Sequence, residues 1–294
     1  MTDDIDALKR IFTAKPRPTT WTERRARLDE VAAIDPPPAD VASTPQAIGT
    51  RAAEWSLAPS SDGARVLLYF HGGGYCSGSI ASHRGMVGAV GRAAGVRTLA
   101  LGYRLAPEHP FPAALEDALA AYRFLRAQGY AAGHIAIGGD SAGGGLTLAT
   151  VLSLRATGEP LPACLWLVSP WTDLTQSGAS LDDKAAVDPL IQRDYLQGLA
   201  EAYLAGADPR NPLVSPLFAD LGGLPPALIQ VGSAETLLDD AARLARGLGA
   251  ADVRVTLEVW PHMIHAWHLW APRLESGRAA MRTAGAFLRA HIGG

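Results

Sequence analysis

Apolar positions along the 294-residue chain recur in two rhythms. Short runs dense in apolar and β-branched residues read as buried strands: Val66 to Phe70, Val96 to Leu101, Ile135 to Ile137, Leu165 to Val168, Ala227 to Val231 and Arg254 to Val259. Between them, apolar residues spaced three and four apart predict helices over Ser82 to Ala94, Ala113 to Gln128, Leu146 to Thr157 and Leu274 to His291. Strands alternating with helices in this way imply βαβ units, and hence an α/β domain with a mostly parallel central sheet covered on both faces.

The ends of this series break the rhythm. Ile5, Leu8, Ile11 and Phe12 predict a short amphipathic helix over 3–13, stopped by Pro16 and Pro18. Thr20-Trp21-Thr22-Glu23 has the form of a capping box opening a second helix, whose apolar face carries Trp21, Leu28 and Val31. Two apolar-faced helices must pack on something, so residues 1–40 are expected to cap a pocket in the domain that follows. Pro36-Pro37-Pro38 marks the boundary, leaving 41–294 as the core domain. Gln46 to Leu57 has enough alternation for a weak antiparallel hairpin at the sheet edge. From Ser169 to Pro225, short helical pieces are punctuated by Asp188-Pro189, Asp208-Pro209, Asn211-Pro212 and Ser215-Pro216, which predicts a lid-like insertion at 173–224.

Composition narrows the class of partner. A chain that is 48% hydrophobic and 19% charged can bury a large core, and its formal net charge of −3 offers no basic field for nucleic acid or anionic membrane. The acidic first residues lack a signal-peptide pattern, and no apolar run is long enough to span a bilayer, so a cytoplasmic protein is expected. Cys76 and Cys164 are too few and too scattered for a disulfide framework or a zinc site, and read as free thiols.

The chemistry gathers around Ile135 to Gly144. The strand runs into Gly139-Asp140-Ser141-Ala142-Gly143 and then into a helix, the strand–turn–helix context of a G-x-S-x-G nucleophile elbow. A glycine-rich turn of this kind also cradles phosphates or simply caps a helix. The strand Val66 to Phe70 tips the balance, because it empties into His71-Gly72-Gly73-Gly74-Tyr75, whose glycines can turn backbone N–H groups toward a pocket. Acyl transfer needs such donors where the carbonyl oxygen becomes negative, each contributing about 2.7–4 kcal/mol to the transition state.

A serine nucleophile also needs a base and an acid that orients it, in the chain order serine, acid, histidine. The strand Ala227 to Val231 leads to Glu235, Asp239 and Asp240, which all compete for the acid; the two aspartates also suit the start of the next helix. The last strand leads to His262, His265 and His268. Spacing alone does not separate His262 from His265, whereas His268 is expected to be structural. With no thiol or carboxylate among them, the three histidines do not read as a metal site.

Four blocks in order, His71 to Tyr75, Tyr103-Arg104-Leu105-Ala106-Pro107-Glu108-His109-Pro110, Gly139 to Gly144 and Ser169-Pro170-Trp171-Thr172-Asp173-Leu174, resemble the bacterial hormone-sensitive lipase family of α/β-hydrolase carboxylesterases. The likeness spans nearly the whole chain. It implies an α/β-hydrolase fold with a helical cap, Ser141 as nucleophile, His265 as base, and an oxyanion hole from the N–H groups of Gly72, Gly73 and Ala142. His265 is favoured because a small residue and an aromatic follow it. The family's acid lies in D-x-L-x-D, where this chain has Glu235-Thr236-Leu237-Leu238-Asp239, so Glu235 takes the acid's place by substitution. Arg104, Glu108 and His109 then read as fold-supporting, and Asp173 comes too early in the strand order to be the acid.

The expected activity is hydrolysis of small, short-acyl esters through an acyl-enzyme, with no metal or organic cofactor. Gly74, Tyr75 and Trp21 are expected to line the substrate pocket. A lactone hydrolase or an acyltransferase would use the same residues, and a non-catalytic ligand receptor on the same scaffold would be free to lose Ser141 or His265, both present here. No nucleic-acid or membrane partner is expected; an edge strand near the C-terminus is compatible with a homodimer, as in relatives.

Overall fold

The computed structural model describes residues 2–293. The chain opens with α1 (Thr2–Thr13) and α2 (Trp21–Ala32), then β1 (Ala42–Ile48), β2 (Arg51–Leu57) and β3 (Asp62–Phe70). The alternating series follows: α3 (Ile80–Ala94), β4 (Val96–Leu101), α4 (Ala113–Ala127), β5 (Ile135–Asp140), α5 (Ala142–Ala156) and β6 (Cys164–Val168). The irregular segment holds α6 (Ser180–Asp183) and α7 (Arg193–Leu204), after which come β7 (Ala227–Gly232), α8 (Leu238–Ala250), β8 (Val255–Trp260) and α9 (Glu275–His291).

Among the described residues eight strands form one sheet in the order β1-β2-β4-β3-β5-β6-β7-β8. β1 and β2 pair antiparallel, as do β2 and β4; every other neighbour is parallel. β5 lies inside the sheet and is buried along its whole length, so residues at its C-terminal end open where parallel α/β sheets commonly hold their ligands. One buried cluster packs α4, α5, α7 and α8 on one face, and a second packs α3 and α9 on the other.

The differences from the sequence reading have physical reasons. β1 begins at Ala42, not near Gln46, because its first half is exposed and carries no apolar periodicity. β3 begins at Asp62, with a register shift before Val66 where its polar front end still pairs with β4. β5 runs on to Asp140, since Gly139 and Asp140 keep pairing with Phe70 and Val168.

The N-terminal helices dock by two contacts. Ile5 and Leu8 of α1 are buried against Met263, Ile264, Trp267 and Trp270, in the loop carrying the histidines, with the Phe12 ring 4.7 Å from that of Trp270. In α2, capped by the Thr20–Glu23 box, the Arg25 guanidinium donates to the carbonyls of Cys76 at 2.9 Å and Ala106 at 3.0 Å and pairs with Glu108 at 2.6 Å. These charge-assisted bonds anchor α2 beside the glycine loop. Arg25→Ala is therefore expected to lose about 1–2 kcal/mol, read as a lower thermal midpoint together with faster proteolysis between Pro16 and Pro38; an unchanged digestion pattern would contradict this anchoring.

Candidate active site

Ser141 occupies the single-residue turn between β5 and α5, at φ 53° and ψ −121°, a backbone region that L-residues rarely adopt. Neighbouring backbone fixes it there: its N–H donates to Val168 O at 2.9 Å, and its carbonyl accepts from Gly144 and Trp171. A Cβ on Gly143 would run into Phe70 O, and one on Gly139 would meet both Phe70 O and the Gly143 carbonyl. The elbow thus presses against the end of β3 and the loop that leaves it.

That loop turns at Gly73 (φ 109°) and Gly74 (φ 63°), closed by hydrogen bonds from Cys76 N and Ser77 N to Gly73 O. Both glycines line a cavity of about 190 Å³ together with Ser141 and His265. Among the described residues the N–H groups of Gly73 and Gly74 meet no acceptor, and Ala142 N, as the first helical residue, has no partner within the helix.

Gly72 is a correction to the sequence reading. Its N–H is taken by the Asp140 carboxylate at 2.9 Å, so it is not offered to the cavity. Asp140 also accepts from Tyr69 Oη at 2.8 Å and meets His83 Nε2 at 3.2 Å. Burial would raise its pKa, but His83 and Tyr69 outweigh that and hold the carboxyl down at about 2. A buried anion therefore ties the residue before the elbow to the first glycine of the loop.

Trp21 and Tyr75 are further corrections, as neither lines the cavity. Tyr75 is buried and stacked on Tyr203 with ring centroids 3.7 Å apart, because its own positive φ of 61° turns it away into the core. Trp21 lies beneath the Arg24 guanidinium, 4.6 Å from ring centroid to carbon. Gly74 does line the cavity, against Leu199 of α7.

The competing acids go to different partners. Glu235 is fully buried; its Oε2 accepts from Ser169 Oγ at 2.8 Å and Gly232 N at 3.0 Å, and its Oε1 faces His265 Nδ1 at 3.5 Å. That separation exceeds the about 2.7–2.9 Å of a charge-assisted bond. Burial raises the Glu235 pKa, partly countered by His265 and Ser169. Burial would lower that of His265, but the facing carboxylate outweighs it and holds the imidazole above its ordinary value. Asp239 instead accepts from Ser180 N, and buried Asp240 from Thr172 N and Asp173 N.

His262 is exposed at the surface, outside the cavity lining. His268 is buried with Nε2 on Gln230 Oε1 at 3.0 Å, its pKa pushed down to about 3 by burial. Asp173 holds its own loop and Arg243, and Arg104 pairs with Asp117. Burial pushes the Cys76 and Cys164 thiols up to about 12, which leaves them poor nucleophiles. Among the described residues no three His, Cys, Asp or Glu side chains converge as a metal-ligand set.

Three supporting residues escaped the sequence reading. Ser169, at φ 44°, links the acid to the histidine loop through Glu235 Oε2 and Ala266 N. Asp188 accepts from Thr236 N at 2.8 Å and so braces the loop next to Glu235. His83 completes the Asp140 cluster. The first opens the Ser169–Leu174 block and the second precedes Pro189, but nothing local in the sequence discloses either partner.

A family model described as the alpha/beta hydrolase fold matches residues 67–269. The chain is 50% identical over 257 residues to an acetyl-hydrolase of Streptomyces hygroscopicus, covering 87% of this chain and 84% of that one. It is 36% identical over 219 residues to an esterase of Acinetobacter venetianus, covering 73% and 72%. An esterase crystal structure from the bacterial hormone-sensitive lipase family superposes with a TM-score of 0.96 at 46% identity, over 99% of this chain and 98% of the other. EstE5, in a crystal soaked with p-nitrophenyl butyrate, superposes with a TM-score of 0.94 at 44% identity, over 98% of each chain.

The Asp140 cluster has a pH signature. Its native pKa of about 2 lies below the ordinary 3.8, so the carboxylate contributes stability that is full above about pH 4 and lost as pH falls toward 2, on the order of 2 kcal/mol. Asp140→Asn is expected to lower stability at neutral pH by about that amount and to flatten the acid limb of the stability curve. Chemical denaturation across that pH range reads both, and an acid limb unchanged in the variant would contradict the assignment.

Proposed function

The chain belongs to the α/β-hydrolase family, in its hormone-sensitive lipase branch, and hydrolyses carboxylic esters; we propose that the reaction runs through Ser141, His265 and Glu235. The observation that carries this reading is one arrangement. A serine held at positive φ and a histidine whose far nitrogen faces a buried carboxylate open on the same cavity.

In the proposed sequence Ser141 Oγ attacks the ester carbonyl while His265 accepts its proton, and the oxyanion meets the N–H groups of Gly73, Gly74 and Ala142. The carbonyl reforms as the C–O bond to the alcohol breaks, and His265 returns the proton to that alcohol. Water then attacks the acyl-enzyme, its proton passing to His265 and on to Ser141, which releases the acid. Glu235 keeps the imidazole in the tautomer with Nδ1 protonated and stabilises the imidazolium that forms.

A cavity of about 190 Å³ is smaller than the roughly 300–1,000 Å³ of drug-sized ligand sites, which supports small, short-acyl esters. The reading of 1–40 and 173–224 as a two-part cap is supported by their shares of the cavity wall: Leu28 and Val31 from one, Ile191, Leu196 and Leu199 from the other.

Ser141→Ala is expected to fold normally and to lower kcat on p-nitrophenyl acetate and butyrate by about 10⁴-fold or more; comparable turnover in the variant would overturn the assignment. Because the base must be neutral and His265 titrates above its ordinary 6.5, kcat/KM should rise with pH through an inflection above that value. Glu235→Gln should move the inflection to lower pH and reduce kcat by about 10⁴-fold, while Asp239→Asn and His262→Ala leave both in place. An inflection that stays put in Glu235→Gln would assign the acid elsewhere.

A further inference from the structure

The wall contributed by the N-terminal segment is strongly cationic. Lys15, Arg17, Arg24 and Arg27 all line the cavity, and among the lining residues Asp140 is the sole acid, already committed to Tyr69, Gly72 and His83. Lys15 and Arg27 share one carboxylate, Glu30, at 3.2 and 3.8 Å. Arg17 and Arg24 have no carboxylate within ion-pair distance among the described side chains. This departs from the treatment of other arginines near the site, such as Arg25 on Glu108 or Arg84 on Glu54, in a chain whose net charge is −3.

The two free guanidiniums are nonetheless held. Arg24 is half-buried, its head 4.6 Å from the Trp21 ring centroid and 5.0 Å from that of Tyr195, with Nε donating to Pro18 O. Arg17 lies 5.8 Å from the centroid of the same Tyr195 ring and reaches Pro189 O. Aromatic stacking orients a planar fork without consuming its charge, an arrangement suited to bidentate recognition of an oxyanion. Leu28, Val31, Leu196 and Leu199 supply an apolar part of the remaining wall.

We infer that this site prefers small esters carrying an anionic group, a carboxylate or similar oxyanion, at the end of the molecule remote from the scissile carbonyl, with Arg17 and Arg24 as the specificity-determining residues. The inference rests on the esterase reading above. The apolar wall takes the carbon chain, the glycine loop takes the reacting carbonyl, and the arginines take the charged end.

The test compares kcat/KM within two pairs of matched esters: monoethyl adipate against ethyl hexanoate, with the charge on the acyl side, and γ-acetoxybutyrate against butyl acetate, with the charge on the alcohol side. In at least one pair the anionic ester is expected to be favoured by about tenfold at low ionic strength, and less so as salt is added. Arg17→Gln and Arg24→Gln, singly and together, should bring that ratio toward one. A preference for the neutral ester in both pairs, or an anionic preference that survives the double substitution, overturns the inference. Failure of the esterase reading looks different: no Ser141-dependent turnover of either neutral ester.

Discussion

The structure depends on how closely the backbone of the elbow approaches the end of β3. Ser141 can stand at positive φ because Gly139 and Gly143 present no side chain to Phe70 and its neighbours. A single methyl group at either glycine would separate the strands or swing the serine out of the cavity. The approach also sets the glycine loop, since Phe70 ends β3 and His71 begins the loop. Ser141 and the glycine loop are in this way fixed by one contact between backbones, which side-chain repacking elsewhere does not easily disturb.

Two carboxylates are buried at the site, Asp140 and Glu235, and their surroundings give them different tasks. Asp140 receives hydrogen bonds from a phenol and a backbone N–H and faces a histidine, so it stays ionised and holds the loop. Glu235 has one oxygen occupied by Ser169 and Gly232 and the other left for His265. The free oxygen matters for the proposed chemistry, because a carboxylate fully satisfied by neighbours would gain less when the imidazolium appears. Ser169 and Asp188, drawn from the segment after β6 and from the insertion, keep that geometry from relaxing.

The alternating βα series, the hairpin at the edge and the elbow were legible in the sequence because each follows from local periodicity or from glycine placement. What the sequence concealed was mostly a question of partners. Gly72 looks like its two neighbours in the glycine run, yet its N–H turns inward to Asp140, a long-range pairing with no local mark. Tyr75 follows the loop and reads as a pocket residue, but its ring finds Tyr203, far along the chain. Trp21 reads as part of an apolar helix face, whereas its ring carries an arginine. His262 and His265 are equal by spacing, yet the fold leaves the first exposed and buries the second.

The central claim is that ester cleavage proceeds through a covalent intermediate on Ser141, and its most direct test is mass spectrometry of the protein treated with an alkyl fluorophosphonate. The account predicts one adduct per chain, mapped to the peptide containing Ser141 and accumulating in step with the loss of esterase activity. Full activity in protein wholly labelled at Ser141, or inactivation by an adduct at another residue with Ser141 unmodified, would contradict it.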